Sequence, residues 1–300
     1  MKRLLFYICF CFFVSTSFAQ EWLTNLEVAE RLGLVQNKLL VVVWENSYYD
    51  GASAYVNTSD GKRMFIEHMY DRPEIDSLLW AHFVPVVLSE NEYPRLYDEI
   101  KKTRSMDYID KFHDESLKIM DVNGNIINTS QDMQLLNLSE FILKYSMDTS
   151  FLKSRLINYR SEKDFYSAFY LASSYMDFAF FANYEVRPEL VNLSTIYLDE
   201  ASEFLDQEKL DNKPMLKQRV ELLEIQKELL FQNPKKVLRK LKRIKDSEVA
   251  SQNANLRAFL YYSAYKLLED EQNASVWESK VSLLDLRKIN NVVSPTTTED

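Results

Sequence analysis

The sequence predicts an α/β half followed by an all-α half, and three observations carry that prediction. All four glycines, at positions 33, 51, 61 and 124, fall before residue 125. Glycine supplies the positive-φ turns that separate strands, so its absence marks a helical stretch. Two continuous apolar runs, Leu39–Trp44 and Phe83–Leu88, alternate with helical patterns in the first half. In the second half apolar residues recur at helical spacing, and stops are written at Arg187-Pro188, Lys213-Pro214 and Asn233-Pro234.

The chain opens with Lys2 and Arg3, an apolar run from Leu4 to Val14, and the small residues Ser17 and Ala19. That is the grammar of a secretory signal over residues 1–19, cleaved after Ala19. The apolar run is too short to span a bilayer, which takes about 20 residues. Both cysteines, Cys9 and Cys11, lie inside it. The mature chain is therefore expected to carry no thiol, even though an oxidising compartment would permit disulfides.

Residues 20–130 are read as one α/β domain. Thr24–Val35 is a helix. Leu39–Trp44 is a strand buried on both faces. The polar, aromatic stretch Glu45–Gly51 follows as a loop. Lys62–Tyr70 and Pro73–Ala81 are read as helices, the latter with proline at its start. Phe83–Leu88 is a second strand and Tyr93–Lys102 a helix. Ser116–Met120 and Ile126–Ile127 form a hairpin across Asn123-Gly124, read as a two-residue type I′ turn.

Residues 131–290 are read as a helical domain with segments at 132–146, 148–158, 162–183, 187–207, 213–231, 234–245, 248–270 and 274–289. Helix pairs with short connections suggest a tetratricopeptide-like array, and Phe231–Leu238 resembles a repeat junction. No clean 34-residue self-similarity accompanies it, so an irregular bundle is the alternative. Residues 291–300, ending Ser294-Pro295-Thr296-Thr297-Thr298-Glu299-Asp300, are expected to be a disordered tail.

The net charge is -9. Removing Lys2 and Arg3 with the leader leaves 34 basic against 45 acidic residues, a charge of -11. Such a balance argues against nucleic acid, whose binding depends on neutralising phosphates.

Trp22, the Glu27-Val28-Ala29 helix, the Leu39–Trp44 strand, Arg72-Pro73-Glu74-Ile75 before Phe83–Leu88, and Asp121-Val122-Asn123-Gly124 together resemble the exported thioredoxin-like domains of bacteria. The Phe18-Ala19-Gln20 ending of the leader resembles signals common in Bacteroidota. The resemblance implies a periplasmic or cell-surface location. It also implies a redox pair after the first central strand and a proline, usually cis, before the hairpin strand. Here those places hold Glu45-Asn46-Ser47-Tyr48-Tyr49-Asp50 and Phe112-His113-Asp114-Glu115-Ser116. Neither landmark is present. Thiol chemistry needs a thiolate, so the domain is expected to be redox-inactive.

The candidate binding residues are Tyr48, Tyr49 and Asp50 in the first of these stretches and His113 and Asp114 in the second. Tyrosines among small polar residues suit adaptable recognition, and the resemblance implies that the two stretches meet beside the central strand. The alternative is a loop that packs its own tyrosines, with His113–Ser116 a polar lead-in to a strand. No catalytic residues are assigned, because neighbours on an extended segment point to opposite faces. His68, His82 and His113 are too widely spaced for a metal, and Asp121–Asn125 lacks the terminal ligand of a calcium loop. No cofactor is expected.

Two further stretches have a structural reading and a functional one. The aromatic segment Phe165–Tyr184 reads as a core helix, or as an aromatic groove for a peptide or glycan. The basic helix Lys235–Lys245 reads as pairing with Glu221, Glu224 and Glu228, or as a surface for anions such as lipid headgroups. The function expected is a non-catalytic exported binding or scaffold protein with a protein or peptide partner. The competing class is a thiol-independent enzyme, or an accessory factor for periplasmic redox or folding.

Overall fold

A computed structural model describes residues 21–130 and 136–293. The expected leader, the start of the helix expected over 132–146 and most of the expected C-terminal tail lie outside these residues. The chain is predominantly helical, with a small mixed sheet in its N-terminal part and helices throughout its C-terminal half.

The first half runs α1 (Leu26–Gln36), β1 (Leu40–Trp44), α2 (Glu45–Asp50), β2 (Ala54–Asn57), β3 (Arg63–Ile66), α3 (Pro73–His82), β4 (Val84–Leu88), α4 (Tyr93–Ile100), α5 (Met106–His113) and β5 (Lys118–Met120). The main sheet has the order β4-β1-β5. β1 pairs parallel to β4, with Val42 beside Val86, and antiparallel to β5, with Val42 beside Lys118. A parallel bridge from Leu23 to Val86 and an antiparallel bridge from Met120 to Ile126 widen it at both edges.

Because successive side chains of a strand point to opposite faces, β1 feeds two cores. Val41 and Val43 join the cluster that holds Trp22, Tyr70 and Phe83. Leu40, Val42 and Trp44 join the cluster that holds Ala29, Tyr108 and Phe112. Gly33 lets α1 lie close: a Cβ there would come within 2.9 Å of the Lys38 carbonyl oxygen and of Leu40 Cδ2.

A second sheet, order β3-β2-β6, includes β6 (Leu136–Asn137). It corrects the helix expected over Lys62–Tyr70. Gly61 adopts φ +78° beside Asp60, turning β2 back into β3, and Tyr55 faces Phe65 with ring centroids 5.4 Å apart. Asp60-Gly61 between two apolar runs is a hairpin signal, and the cross-strand aromatic pair fixes the register.

The second half runs α6 (Leu138–Tyr145), α7 (Lys153–Ser161), α8 (Phe165–Ala179), α9 (Arg187–Gln207), α10 (Lys213–Leu230), α11 (Pro234–Leu241), α12 (Ala254–Leu267), α13 (Glu271–Glu278) and α14 (Leu283–Val293). The ends follow helix chemistry. Asp164 and Ser167 form a reciprocal capping box on α8, and proline opens α9, α10 and α11. The single helix expected over 274–289 breaks at Ser279–Ser282 into α13 and α14. From α8 to α13 each helix packs on the next in the chain. The core cluster that includes Val41 and Val43 runs on through these helices to Val292.

Candidate functional site

The predicted residues sit around the carboxyl end of β1. The stretch after Trp44 begins with a short helix, α2, in place of the expected loop. Tyr48 is half-buried. Its ring stacks on Tyr70 with centroids 5.0 Å apart and lies 5.3 Å from Trp22. Trp22 is itself fixed, its indole Nε1 donating to Asp76 Oδ1 at 2.8 Å. Burial raises the Tyr48 hydroxyl pKa, and the neighbouring Asp76 and Asp71 add to the rise. Tyr49 meets the edge of Tyr48 at 5.6 Å and is 76 % exposed. Asp50, the last residue of α2, is exposed as well. Gly51 follows with φ +74° under the His68 imidazole, where a Cβ would lie 2.5 Å from Nδ1.

His113 is the last residue of α5, not part of an extended loop. The helix forms because Ser105 caps it, accepting from the Tyr108 amide. The imidazole Nδ1 of His113 is hydrogen-bonded to the Tyr93 hydroxyl, and its ring packs 5.2 Å from Tyr97. Asp114 turns inward between two buried lysines. Its Oδ2 accepts from Lys111 Nζ at 3.1 Å, and its Oδ1 accepts from Lys118 Nζ at 3.2 Å and from the Ser116 amide at 3.0 Å. Lys118 Nζ also donates to the Asp114 and Ser116 carbonyl oxygens, at 2.6 and 3.0 Å.

Lys118 is 1 % exposed and Lys111 3 %. Burial pushes the Lys118 pKa down to about 8, because a buried ammonium loses its hydration, and Asp114 opposes this only in part. Burial would raise the Asp114 carboxyl, but Lys118 and Lys111 outweigh it and hold it below its ordinary value. Every ammonium hydrogen of Lys118 has an acceptor, so this cluster ties α5 to β5.

The two stretches do not meet as the resemblance implied. Tyr48 packs with Trp22 and Tyr70 on one face of the sheet. His113 sits with Tyr93, Tyr97 and Phe112 on the other. No hydrogen bond or ring contact joins them among the described residues. Trp44 belongs to this second face: its Nε1 donates to the Phe112 carbonyl oxygen at 3.0 Å and its ring meets Phe112 at 5.3 Å.

A fully buried acid, Asp121, lies in the turn after β5. Gly124 alone has positive φ in this turn, +79°, and its amide donates to the Asp121 carbonyl oxygen at 3.1 Å. The turn is therefore a type I turn ending in a left-handed glycine, with Asp121 and Asn125 paired by an amide-to-carbonyl bond of 3.0 Å. That replaces the two-residue type I′ turn, which would need positive φ at Asn123 too. Asp121 is fully buried. Oδ1 accepts from the amides of Asn123 and Asn125, each at 2.9 Å, and Oδ2 from the hydroxyls of Tyr175, at 3.2 Å, and Tyr197. Burial raises its pKa, and these four donors offset only part of the rise.

A cleft of about 570 Å³ opens beside this turn, walled by α1, α4, Asn123–Asn125, Tyr159, Lys163 and Glu200. Sequence reading marked the turn but not its partners. Tyr175 and Tyr197 sit 54 and 76 residues away from Asp121, with nothing in the spacing to link them.

The aromatic helix divides into two faces. Phe165, Phe169 and Tyr175 are buried, while Tyr166 and Tyr170 are exposed and stack on each other at 6.3 Å. In the basic helix, Lys236 and Lys240 reach the buried Glu228 at 2.8 and 3.1 Å, while Glu224 pairs with Lys227. Among the described residues no three His, Cys, Asp or Glu side chains converge as metal ligands, and no helix is long and apolar enough to cross a membrane. No protein-family model, curated protein or solved structure matches the chain.

Proposed function

We propose that the protein is a non-catalytic binding or scaffold protein of the periplasm or cell surface, built on a redox-inactive thioredoxin-like domain joined to a tetratricopeptide-like helical half. The thioredoxin-like reading draws on the strand order. A parallel core of the Leu23 bridge, β4 and β1 is closed by the antiparallel β5 and Ile126. The repeat-like reading draws on the serial packing from α8 to α13. Export rests on the sequence of the leader.

The observation that carries the binding function is Tyr49. It stands 76 % exposed on α2, the helix that follows β1, held edge-on by Tyr48, which is anchored against Tyr70 and Trp22. A large ring presented by a rigid support loses little conformational entropy on binding, which is how tyrosine serves as an interface anchor. The partner class is a protein or peptide. The test is Tyr49→Ala in the exported protein, read by quantitative recovery of co-purifying partners and by thermal melting. The proposal expects partners to be lost with the melting temperature unchanged. Full recovery of partners would overturn it.

A further inference from the structure

The cleft between α1, α4 and the Asp121–Asn125 turn has an inventory of charges that nearly cancels. Glu27 pairs with Arg31 at 2.5 Å, Glu99 with Arg95 at 2.8 Å, and Glu200 with Arg104 at 3.2 Å. Glu30 Oε2 accepts from Arg160 Nη1 at 3.0 Å. Its Oε1 faces the bare backbone of Gly124, where a Cβ would stand 3.2 Å away, and no protein donor reaches it among the described residues. Lys163 lies over the Tyr159 ring at 5.1 Å, and no carboxylate comes within ion-pair distance of its ammonium among the described residues. One acceptor and one cation are thus left over, on the wall of one cavity.

The lining is mainly polar, with a smaller apolar part that packs on the core and forms the floor. α4 is strongly amphipathic, yet none of its residues is fully buried, and Leu96 and Ile100 of its apolar face line the cleft with Leu26 of α1. An apolar helix face left partly uncovered over a cavity is the form of a ligand site. The volume of about 570 Å³ lies within the range of small-molecule pockets and exceeds what one ion or water would fill.

We infer that this cleft binds a small zwitterion with an aliphatic side chain, a free amino acid or a dipeptide. The α-ammonium is placed at Glu30 Oε1, the carboxylate at Lys163, and the side chain on Leu26, Leu96 and Ile100. Gly124 carries no side chain that would cover Glu30 Oε1 from the turn. This inference stands apart from the Tyr49 surface, because the floor of the cleft packs on the core face that holds Trp44, opposite to Tyr48.

The test is calorimetric titration of the full chain with L-leucine and with Leu-Leu, each beside its N-acetylated form, which lacks the ammonium. Tighter binding of Leu-Leu identifies a dipeptide site, and tighter binding of leucine an amino-acid site. Acetylation should abolish binding in either case. Lys163→Met removes an exposed ammonium and its contact with the Tyr159 ring, and Glu30→Gln keeps an acceptor for Arg160. Each should weaken the zwitterion by about tenfold or more. A melt of each variant without ligand shows that the fold is intact. If neither zwitterion bound at millimolar concentration, or both variants bound as the parent does, the inference would be wrong.

Discussion

The hydroxyl of Tyr197, on α9, donates to the carboxylate of Asp121, in the turn that follows β5. Tyr175 completes the grip from α8, its ring stacked on Tyr197 with an interplanar angle of 4°. The amides of Asn123 and Asn125 close the carboxylate from its own side. The sheet is thereby fastened to the helices by a charge-bearing group with every near position bonded. Breaking such a set leaves a desolvated acceptor, which costs more than a lost surface contact.

Tyr197→Phe should therefore destabilise by about 1.5–3 kcal/mol, the range for a hydrogen bond to a charged group. Asp121→Asn should be tolerated better than Asp121→Ala, because Asn keeps an acceptor for the two turn amides. Urea unfolding of the three variants checks the order. Equal stability of Tyr197→Phe and the parent would remove the joint from the account.

Lys118 makes stability depend on alkaline pH. Its folded pKa, about 8, lies below its ordinary value of 10.5. Between these values the unfolded chain holds a proton that the folded chain has released, so stability rises with pH, by at most about 1.4 kcal/mol per unit. Above about pH 10 the buried tyrosines oppose this, since Tyr175 and Tyr197 are raised in the folded state and keep protons that the unfolded chain loses. Comparing parent and Lys118→Met from pH 7.5 to 9.5 isolates the effect. The parent should gain stability relative to the variant across that window, and parallel curves would show that Lys118 does not titrate there.

The two faces of α8 should respond differently to charge. Phe169→Asp puts a carboxylate into the core and should unfold the helical half or cost several kcal/mol. Tyr166→Asp lies on the exposed face and should stay within about 1 kcal/mol of the parent. Circular dichroism melts decide it. Equal effects would contradict the division of the helix.

Much of this organisation was legible from single residues. β1 and β4 were plain as unbroken apolar runs, because a strand buried on both faces needs no alternation. The helices α9, α10 and α11 were plain because proline marks their starts. β3 reads as a helix because Phe65, Ile66, Met69 and Tyr70 fall at helical spacing, whereas the Asp60-Gly61 turn marks a hairpin. The site was legible only in part. Tyr48 and Tyr49 were found by composition, but the sequence could not say that one packs and the other projects. It also could not say that Tyr48 and His113 pack on opposite faces of the sheet. Asp121 stood in view as a turn residue. Its partners come from helices far along the chain, and only the packed structure brings them to it.

The central claim is that Tyr49 is an anchor for a partner protein. A photo-crosslinking residue placed at position 49 of the full chain, in cells that export it, tests this most directly. Val276 is a comparably exposed apolar control on α13, at 61 % against 76 % for Tyr49. Illumination should give a discrete higher-mass species from position 49 and none from position 276. No adduct at either position, or the same adducts at both, would contradict the account.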